Sequence, residues 1–285
     1  MPELPEVETY SRQLAALTGR TFLGAHVMWA RSVPTGAEVL GPRIAGQTIL
    51  AVQRRGKYIV FQLSDDWLLV HLKMTGELQV QPAGAPLDVH DRVVFDLDGG
   101  EQLRFHDPRK FGRVYLVADP AEVTGPLGPE PLADQFTHEV FVARLAGRRG
   151  RLKPLLLDQT FVAGLGNIYA DEALHRARLH PLRHADSLTP DEREALYAAI
   201  RETLAQGIEN RGTNLDWAYQ QGTNQHALRV FHRHGQPCDT CGTLIERIVL
   251  GQRGTHFCPC CQPLDGRRKT EDGGRRTQEE EPADR

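Results

Sequence analysis

Hydrophobic and polar positions divide the chain into two halves with different periods. Residues 5–18 carry Val7, Leu14 and Leu17 on one side of a helical projection, with Glu8 and Arg12 elsewhere. That pattern predicts an amphipathic helix, with Gly19 as its stop. From about residue 21 to 118 the pattern becomes that of strands. TILAVQRRGKYIVFQL, WLLVHLKMTGELQV, RVVFDLDGGEQLRFHD and FGRVYLV are β-rich segments separated by turn residues. Asp98-Gly99-Gly100 has the composition of a hairpin turn. Such a series predicts an antiparallel sandwich or barrel.

Then DPAEVTGPLGPEPLAD, with Pro120, Pro126, Pro129 and Pro131, reads as a stiff linker and a domain boundary. Helical periodicity follows over roughly 134–146, 151–160, 167–177 and 189–210. Thr189-Pro190-Asp191-Glu192 supplies a cap and a first-turn proline for the last of these. Residues 236–262 form a small cysteine unit, and the polar tail from about Gly266 is expected to be disordered. The predicted fold class is therefore α+β and multi-domain: a leading helix with an antiparallel sandwich, then a helical domain, then a cysteine unit. The expected division is 2–119, 120–133 as linker, 134–235, 236–262, and 263–285 as tail. No internal repeat is evident.

Composition narrows the class. The chain has 285 residues, 40% hydrophobic and 25% charged, as in globular proteins. No stretch is apolar enough to cross a bilayer, and the start lacks a secretory layout, so an intracellular protein without a membrane partner is expected. Net charge is −3, which gives no hint of nucleic-acid binding. Distribution says more. Arg144, Arg148, Arg149, Arg151 and Lys153 form one basic run, and Arg104, Arg109, Lys110 and Arg113 another. Each alone reads as a solvated face before it reads as a phosphate track.

All five cysteines lie near the end. Cys238-x-x-Cys241 and Cys258-x-x-Cys261 are separated by sixteen residues. Two tight turns of that kind complete a tetrahedron of thiolates, the closed set of a structural zinc ion. The intervening TLIERIVLGQRGTHFC reads as strand, turn, strand, with Arg253 at the hairpin tip. Cys260 is a spare, since the spacing favours Cys261.

Three further stretches carry candidate chemistry. FVAGLGN, from Phe161 to Asn167, follows a helix and lacks a dinucleotide fingerprint. It is either a plain helix–helix turn or an anion-facing helix start, with Asn167 as N-cap or phosphate ligand. HDPRKFG, from His106 to Gly112, presents Arg109 beside Phe111. Phe111 is either core or a wedge beside a base, with Arg109 as donor to a base edge. Met74 in KMTG carries the same two readings. At the amino end, removal of Met1 leaves Pro2 with a secondary amine. An α-amino group has a pKa of about 7.7–8.0, so much of it is neutral and nucleophilic near neutral pH. On a sugar carbon it forms an iminium, an electron sink for elimination, with Glu3 and Glu6 near enough to move protons. The alternative is a helix start with acidic residues favoured by the helix dipole.

PELPEVET, KMTGEL, HDPRKFG, GLGNIYADEAL and the four-cysteine unit stand in one order over about residues 2–262. In that order they resemble bacterial formamidopyrimidine-DNA glycosylase. The resemblance implies a bifunctional enzyme that removes 8-oxoguanine and formamidopyrimidines from duplex DNA, then cleaves the abasic strand by β- and δ-elimination. It implies Pro2 as nucleophile, Glu3 as general acid/base and Glu6 as a positioning group, with Lys57 and Arg253 counted among the catalytic residues. Met74, Arg109 and Phe111 would fill the void left by the flipped nucleotide. Lys57, His71, Asn167 and Arg253 would clamp phosphates, and His90 would join the DNA contacts. GLGN would lie in a helix–two-turn–helix element. One structural zinc, a damaged duplex as partner, a monomeric state and a bacterial cytoplasmic location complete the expectation. The sister endonuclease VIII group shares the architecture, but typically has glycine where Leu4 follows Pro2-Glu3. A non-catalytic zinc-stabilised DNA-binding protein is the other alternative, and the intact Pro2, Glu3 and Glu6 speak against it. Thr213–Leu228, in the place of the family's lesion-capping loop, departs from the pattern, as do Cys260 and the tail.

Overall fold

The computed structural model describes residues 2–214 and 221–264. The tail beyond them and the middle of the divergent Thr213–Leu228 stretch lie outside the described residues. The chain opens with α1 (Leu4–Leu14) and a 3-10 turn (Ala15–Leu17). β1 (Phe22–Val27), α2 (Ala37–Ile44), β2 (Ile49–Arg55), β3 (Tyr58–Leu63) and β4 (Trp67–His71) follow. Next come β5 (Glu77–Pro82), β6 (Asp91–Leu97), β7 (Glu101–His106) and β8 (Arg113–Val117). All pairings are antiparallel, and the strands form two sheets ordered β1-β6-β7-β5 and β2-β3-β4-β8. Side chains from both sheets share one core that includes Phe22, Phe95 and Phe105 from the first and Phe61, Val70 and Val114 from the second. The architecture is thus a sandwich.

Helix α2 was not visible in the sequence pattern. Its Leu40 and Ile44 are buried four residues apart, but Gly41 and Pro42 interrupt its short span. Gly41 is required by packing, since a Cβ there would lie 2.6 Å from the carbonyl oxygen of Ala25.

The second half holds α3 (Ala121–Thr124), α4 (His138–Leu145), α5 (Leu152–Leu157), α6 (Asn167–Arg176) and α7 (Pro190–Glu209). The α7 start is a capping box. The Glu192 N–H donates to Thr189 Oγ1 at 3.2 Å, and the Thr189 N–H donates to Glu192 Oε2 at 2.9 Å. α4 begins later than its periodicity indicated because Thr137 caps it. α5 ends earlier because Asp158 opens a turn, its Oδ1 accepting the Thr160 N–H at 2.9 Å. The proline-rich connection is a fastening as well as a spacer. Glu130 takes Arg54 at 2.6 Å, Arg55 at 2.8 Å and the Gly56 N–H at 2.6 Å. Burial pushes its carboxyl up, but the two guanidiniums and the N–H outweigh that and hold it low.

α1 is the seam between the halves. Val7, Tyr10 and Leu14 enter the sandwich core, while Leu4 belongs to the helical core with Phe141, Phe161 and Tyr169. The chain closes with the hairpin β9 (Glu246–Leu250) and β10 (Arg253–Phe257). No helix among the described residues is long and apolar enough to cross a membrane.

Candidate nucleic-acid interface and metal centre

A cleft of about 710 Å3 opens between the start of α1, the sandwich and the helical half. Pro2, Glu3 and Glu6 form its floor, and Lys57, His71, Met74, Phe111, Asn167 and Arg253 also line it. Glu6 is held by three donors: the Glu3 N–H at 2.8 Å, the Tyr169 hydroxyl at 2.6 Å and the Thr213 N–H at 2.7 Å. Burial, with Glu3 beside it, raises its carboxyl above the ordinary value despite those donors.

Glu3 reaches across the seam. Its carboxylate accepts the N–H of Ile168 at 3.0 Å and of Tyr169 at 3.4 Å, at the start of α6. The glycine-rich turn does open a helix whose N–H groups face an anion, and that anion is the protein's own carboxylate. The glycines make this possible. A Cβ on Gly166 would lie 2.3 Å from Glu3 Cδ, and one on Gly164, whose φ is +91°, would lie 2.6 Å from Leu4 Cδ1. Asn167 is the first helical residue, and Gly166 is the N-cap. Its Nδ2 donates to the Gly254 carbonyl at 3.0 Å, so the amide is anchored on the hairpin while its Oδ1 is buried without a partner.

The cations come from both sides. Lys57, in the β2–β3 turn, is buried. Burial lowers its pKa against the pull of Glu3 and Glu6, with Arg253 and Lys73 lowering it further. His71 Nδ1 accepts the Lys73 N–H at 3.0 Å. Burial, Lys73 and Lys57 push its pKa down to about 3, so the ring is neutral and its remaining proton sits on Nε2, free to be donated. Arg253 stands exposed at the start of β10.

Phe111 is 47% exposed, which removes the core reading. The Arg109 guanidinium lies 4.9 Å from its ring centroid. Asp107 shapes their loop by accepting the Gly112 N–H at 2.8 Å and the Thr75 hydroxyl at 2.5 Å. Met74 is half-buried on the cleft wall. His90 is not brought to the cleft. Its ring packs against His106 with centroids 5.6 Å apart, and its Nδ1 lies 3.1 Å from the Arg92 guanidinium.

The basic runs are not uniform tracks. Arg104 is buried and donates to the carbonyls of Ala85 and Pro86. Lys153 is fully buried, 2.7 Å from Asp171, and its ammonium donates to the Gly254 carbonyl and the Thr255 hydroxyl. Asp171 in turn accepts the His256 N–H at 2.9 Å. This buried pair docks the hairpin onto α5 and α6.

The Sγ atoms of Cys238, Cys241, Cys258 and Cys261 lie within 4.8 Å of one another. Cys238 and Cys261 are 3.9 Å apart, and Cys241 and Cys258 are 3.4 Å apart. Tetrahedral zinc–thiolate bonds of about 2.3 Å need sulfur spacings of this size. The residues fit one structural zinc, and Cys260 stands exposed outside the set. Sequence reasoning missed Lys73, Tyr169, Phe231 and His232, and gave Thr213, at the start of the divergent Thr213–Leu228 stretch, no role. Only Lys73 and Tyr169 sit inside motifs that could have drawn attention to them, KMTG and GLGNIY.

A cationic cleft closed by a buried amino end and gripped from both sides defines a protein built around a polyanion. Family models match residues 1–114 as Formamidopyrimidine-DNA glycosylase N-terminal domain, 127–217 as Formamidopyrimidine-DNA glycosylase H2TH domain, and 235–264 as Zinc finger found in FPG and IleRS. Formamidopyrimidine-DNA glycosylase of Protochlamydia amoebophila is 46% identical over 275 residues, covering 92% of this chain and 99% of the relative. That of Herpetosiphon aurantiacus is 49% identical over 272 residues, covering 92% and 100%. Among solved structures, a complex of Lactococcus lactis Fpg with abasic-site-containing DNA has a TM-score of 0.86 at 36% identity, covering 92% of this chain and 99% of that one. Another, with FAPY-dG-containing DNA, has a TM-score of 0.86 at 37% identity, covering 92% and 100%. The chain belongs to the formamidopyrimidine-DNA glycosylase family.

Proposed function

We propose that this chain excises oxidised purines, 8-oxoguanine and formamidopyrimidines, from duplex DNA through the amine of Pro2, and then cleaves the abasic strand. The supporting observation is the meeting in one cleft of Pro2, Glu3 and Glu6 with Lys57, His71 and Arg253. The target nucleotide leaves the stack and enters the cleft. Met74 and Phe111 fill the gap, with Arg109 toward the unpaired partner base. Lys57, His71, Asn167 and Arg253 hold the phosphates around the extruded nucleotide, with His90 outside this clamp.

In the chemistry, the Pro2 nitrogen pair bonds to C1′ as the glycosidic pair leaves with the base, which takes up a proton. Glu3 moves the proton at the sugar ring oxygen, and ring opening gives the iminium. Loss of the C2′ proton to solvent leaves its bonding electrons on that cation and expels the 3′ phosphate, and loss of the C4′ proton in the second elimination expels the 5′ phosphate. Glu6 fixes the backbone of Glu3, and so the attack geometry, through its 2.8 Å contact with the Glu3 N–H. The ion bound by Cys238, Cys241, Cys258 and Cys261 is structural. We assign the working units as 2–119, 134–235 and 236–262, joined by 120–133, in a monomeric enzyme of the bacterial cytoplasm.

Borohydride trapping tests the reading. An 8-oxoguanine duplex should give a covalent adduct, and Pro2→Gly should abolish it. No adduct with any damaged duplex would sink the mechanism. Much greater activity on thymine glycol than on 8-oxoguanine would move the substrate class to oxidised pyrimidines.

A further inference from the structure

Several non-glycine residues with left-handed backbone lie at or next to the cleft. Among the described residues the full set is Lys73, Lys110, Arg178, Arg211, His232 and Gln252. Lys73 and His232 line the cleft, and Lys110 and Gln252 adjoin Phe111 and Arg253. Such conformations are unfavourable for side chains with a Cβ and gather where function holds them. His232 is the least expected of them. The Arg233 N–H donates to the Val230 carbonyl at 3.0 Å, which makes Val230–Arg233 a four-residue turn. His232 occupies its third position with φ +59°, where glycine or asparagine is the ordinary choice. Nothing in the turn itself calls for histidine.

The surroundings give it a purpose. Phe231 is fixed from below, its N–H donating to Glu172 Oε1 at 2.8 Å. The His232 ring lies flat on it, centroids 4.5 Å apart and planes 11° from parallel. The ring edge is braced by His256, 5.7 Å away at 70°. His232 is therefore an exposed imidazole held at a set angle on the wall of a cleft that also presents Lys57, Lys73 and Arg253. Phe231, beneath it, has no polar side-chain atom to offer.

We infer that His232 is a further DNA-contacting residue, whose ring N–H donates to a backbone phosphate of the strand held in the cleft. The inference rests on the cleft being the DNA site. Burial, His256 and Arg247 hold the imidazole below its ordinary value, which leaves a neutral ring with one N–H to give. A phosphodiester oxygen suits that donor, and the cations around it favour the same ligand.

The test uses the full chain and a duplex with a tetrahydrofuran abasic analogue, which carries no base to contact. His232→Gly relieves the backbone and removes the ring. His232→Phe keeps a ring for the stack on Phe231 and removes only the donor. Both should bind about tenfold more weakly than wild type, and the melting temperature of His232→Gly should be no lower than that of wild type. Binding within about twofold of wild type by both variants would overturn the inference. A loss confined to 8-oxoguanine duplexes would overturn it as well, by making His232 a base contact. A melting temperature that fell together with affinity would assign it a structural role instead. Failure of wild type itself to bind the abasic duplex would overturn the reading of the cleft, and this inference with it.

Discussion

The sandwich encloses Phe22, Phe61, Phe95 and Phe105 between two sheets, whereas the cysteine hairpin encloses Val230, Cys238, Ile245 and Cys258. Both bring hydrogen-bond donors to the same cleft, Lys57 and the neutral ring of His71 from one and Arg253 from the other. The first holds itself together by apolar burial, at roughly 1.5–3 kcal/mol for each large side chain. The second is two five-residue strands, β9 largely exposed and β10 buried over Thr255, His256 and Phe257, and a hairpin of that size on its own is marginal in water. Its rigidity comes from the zinc ion and from the docking of β10 on the helical half, through the Lys153–Asp171 pair and the contact of Phe257 with His180. One side of the DNA grip therefore depends on a large core, and the other on a metal and a small docked face around one buried ion pair.

Removing the metal breaks the comparison most severely. Cys258→Ser, or a strong chelator, should empty the site and free Arg253 from its platform. Binding to a lesion duplex should fall by about a hundredfold or more, while the sandwich keeps its melting transition. Metal analysis, duplex binding and a thermal melt check this together. A melt that collapses in both halves would show that the hairpin supports the sandwich after all.

Next come two substitutions of similar expected cost. Lys153→Met leaves Asp171 buried without its cation, at about 3–5 kcal/mol. Phe61→Ala opens a cavity in the sandwich, also at about 3–5 kcal/mol. The first should loosen the hairpin, lowering DNA affinity and zinc retention. The second should lower global stability in a denaturant titration while zinc content stays at one per chain. Equal zinc loss in both would erase the distinction between the halves.

Acid probes the sandwich wall of the cleft. His71 has an ordinary value of 6.5 and is pushed to about 3 in the fold. Above about pH 6.5 both folded and unfolded imidazoles are neutral, and the contribution to stability is complete. As pH falls toward 3 the unfolded chain takes up the proton first, so stability drains away, by about 4–5 kcal/mol for this group. His71→Gln should flatten that part of the stability–pH curve, measured by urea titration at several pH values. An unchanged slope would mean that His71 charges freely in the fold.

Much of this arrangement was legible because its signals were local. Strand alternation, the Thr189 cap and the cysteine spacing each lie within one stretch of chain. What stayed hidden depended on partners far apart in sequence. Glu3 caps α6, 165 positions further on. Lys153, read in a run of exposed basic residues, is buried through contacts with residues 171, 254 and 255. α2 escaped because its glycine and proline interrupt an eight-residue helix. Phe111 could be assigned neither to core nor to surface until Asp107 and Gly112 fixed its loop. His90, implied among the DNA contacts by resemblance, faces His106 and Arg92.

The smallest expected effect concerns the fifth cysteine. Cys260 lies between two ligands in sequence but is exposed and outside the cluster. The turn explains why. The Cys261 N–H points at Cys258 Sγ, 3.4 Å away, and the Gln262 side chain accepts the Cys258 N–H at 2.9 Å. Gln262 also donates to the Leu179 carbonyl at 2.8 Å, which ties the turn to the helical half. This geometry aims Cys258 and Cys261 inward and leaves the residue between them facing water. Cys260→Ser should therefore keep one zinc per chain and wild-type duplex affinity, whereas Cys261→Ser should lose both. Loss of zinc from Cys260→Ser would mean that the spare thiol shares the ligand position, and that the hairpin is held less rigidly than its single tetrahedral set implies.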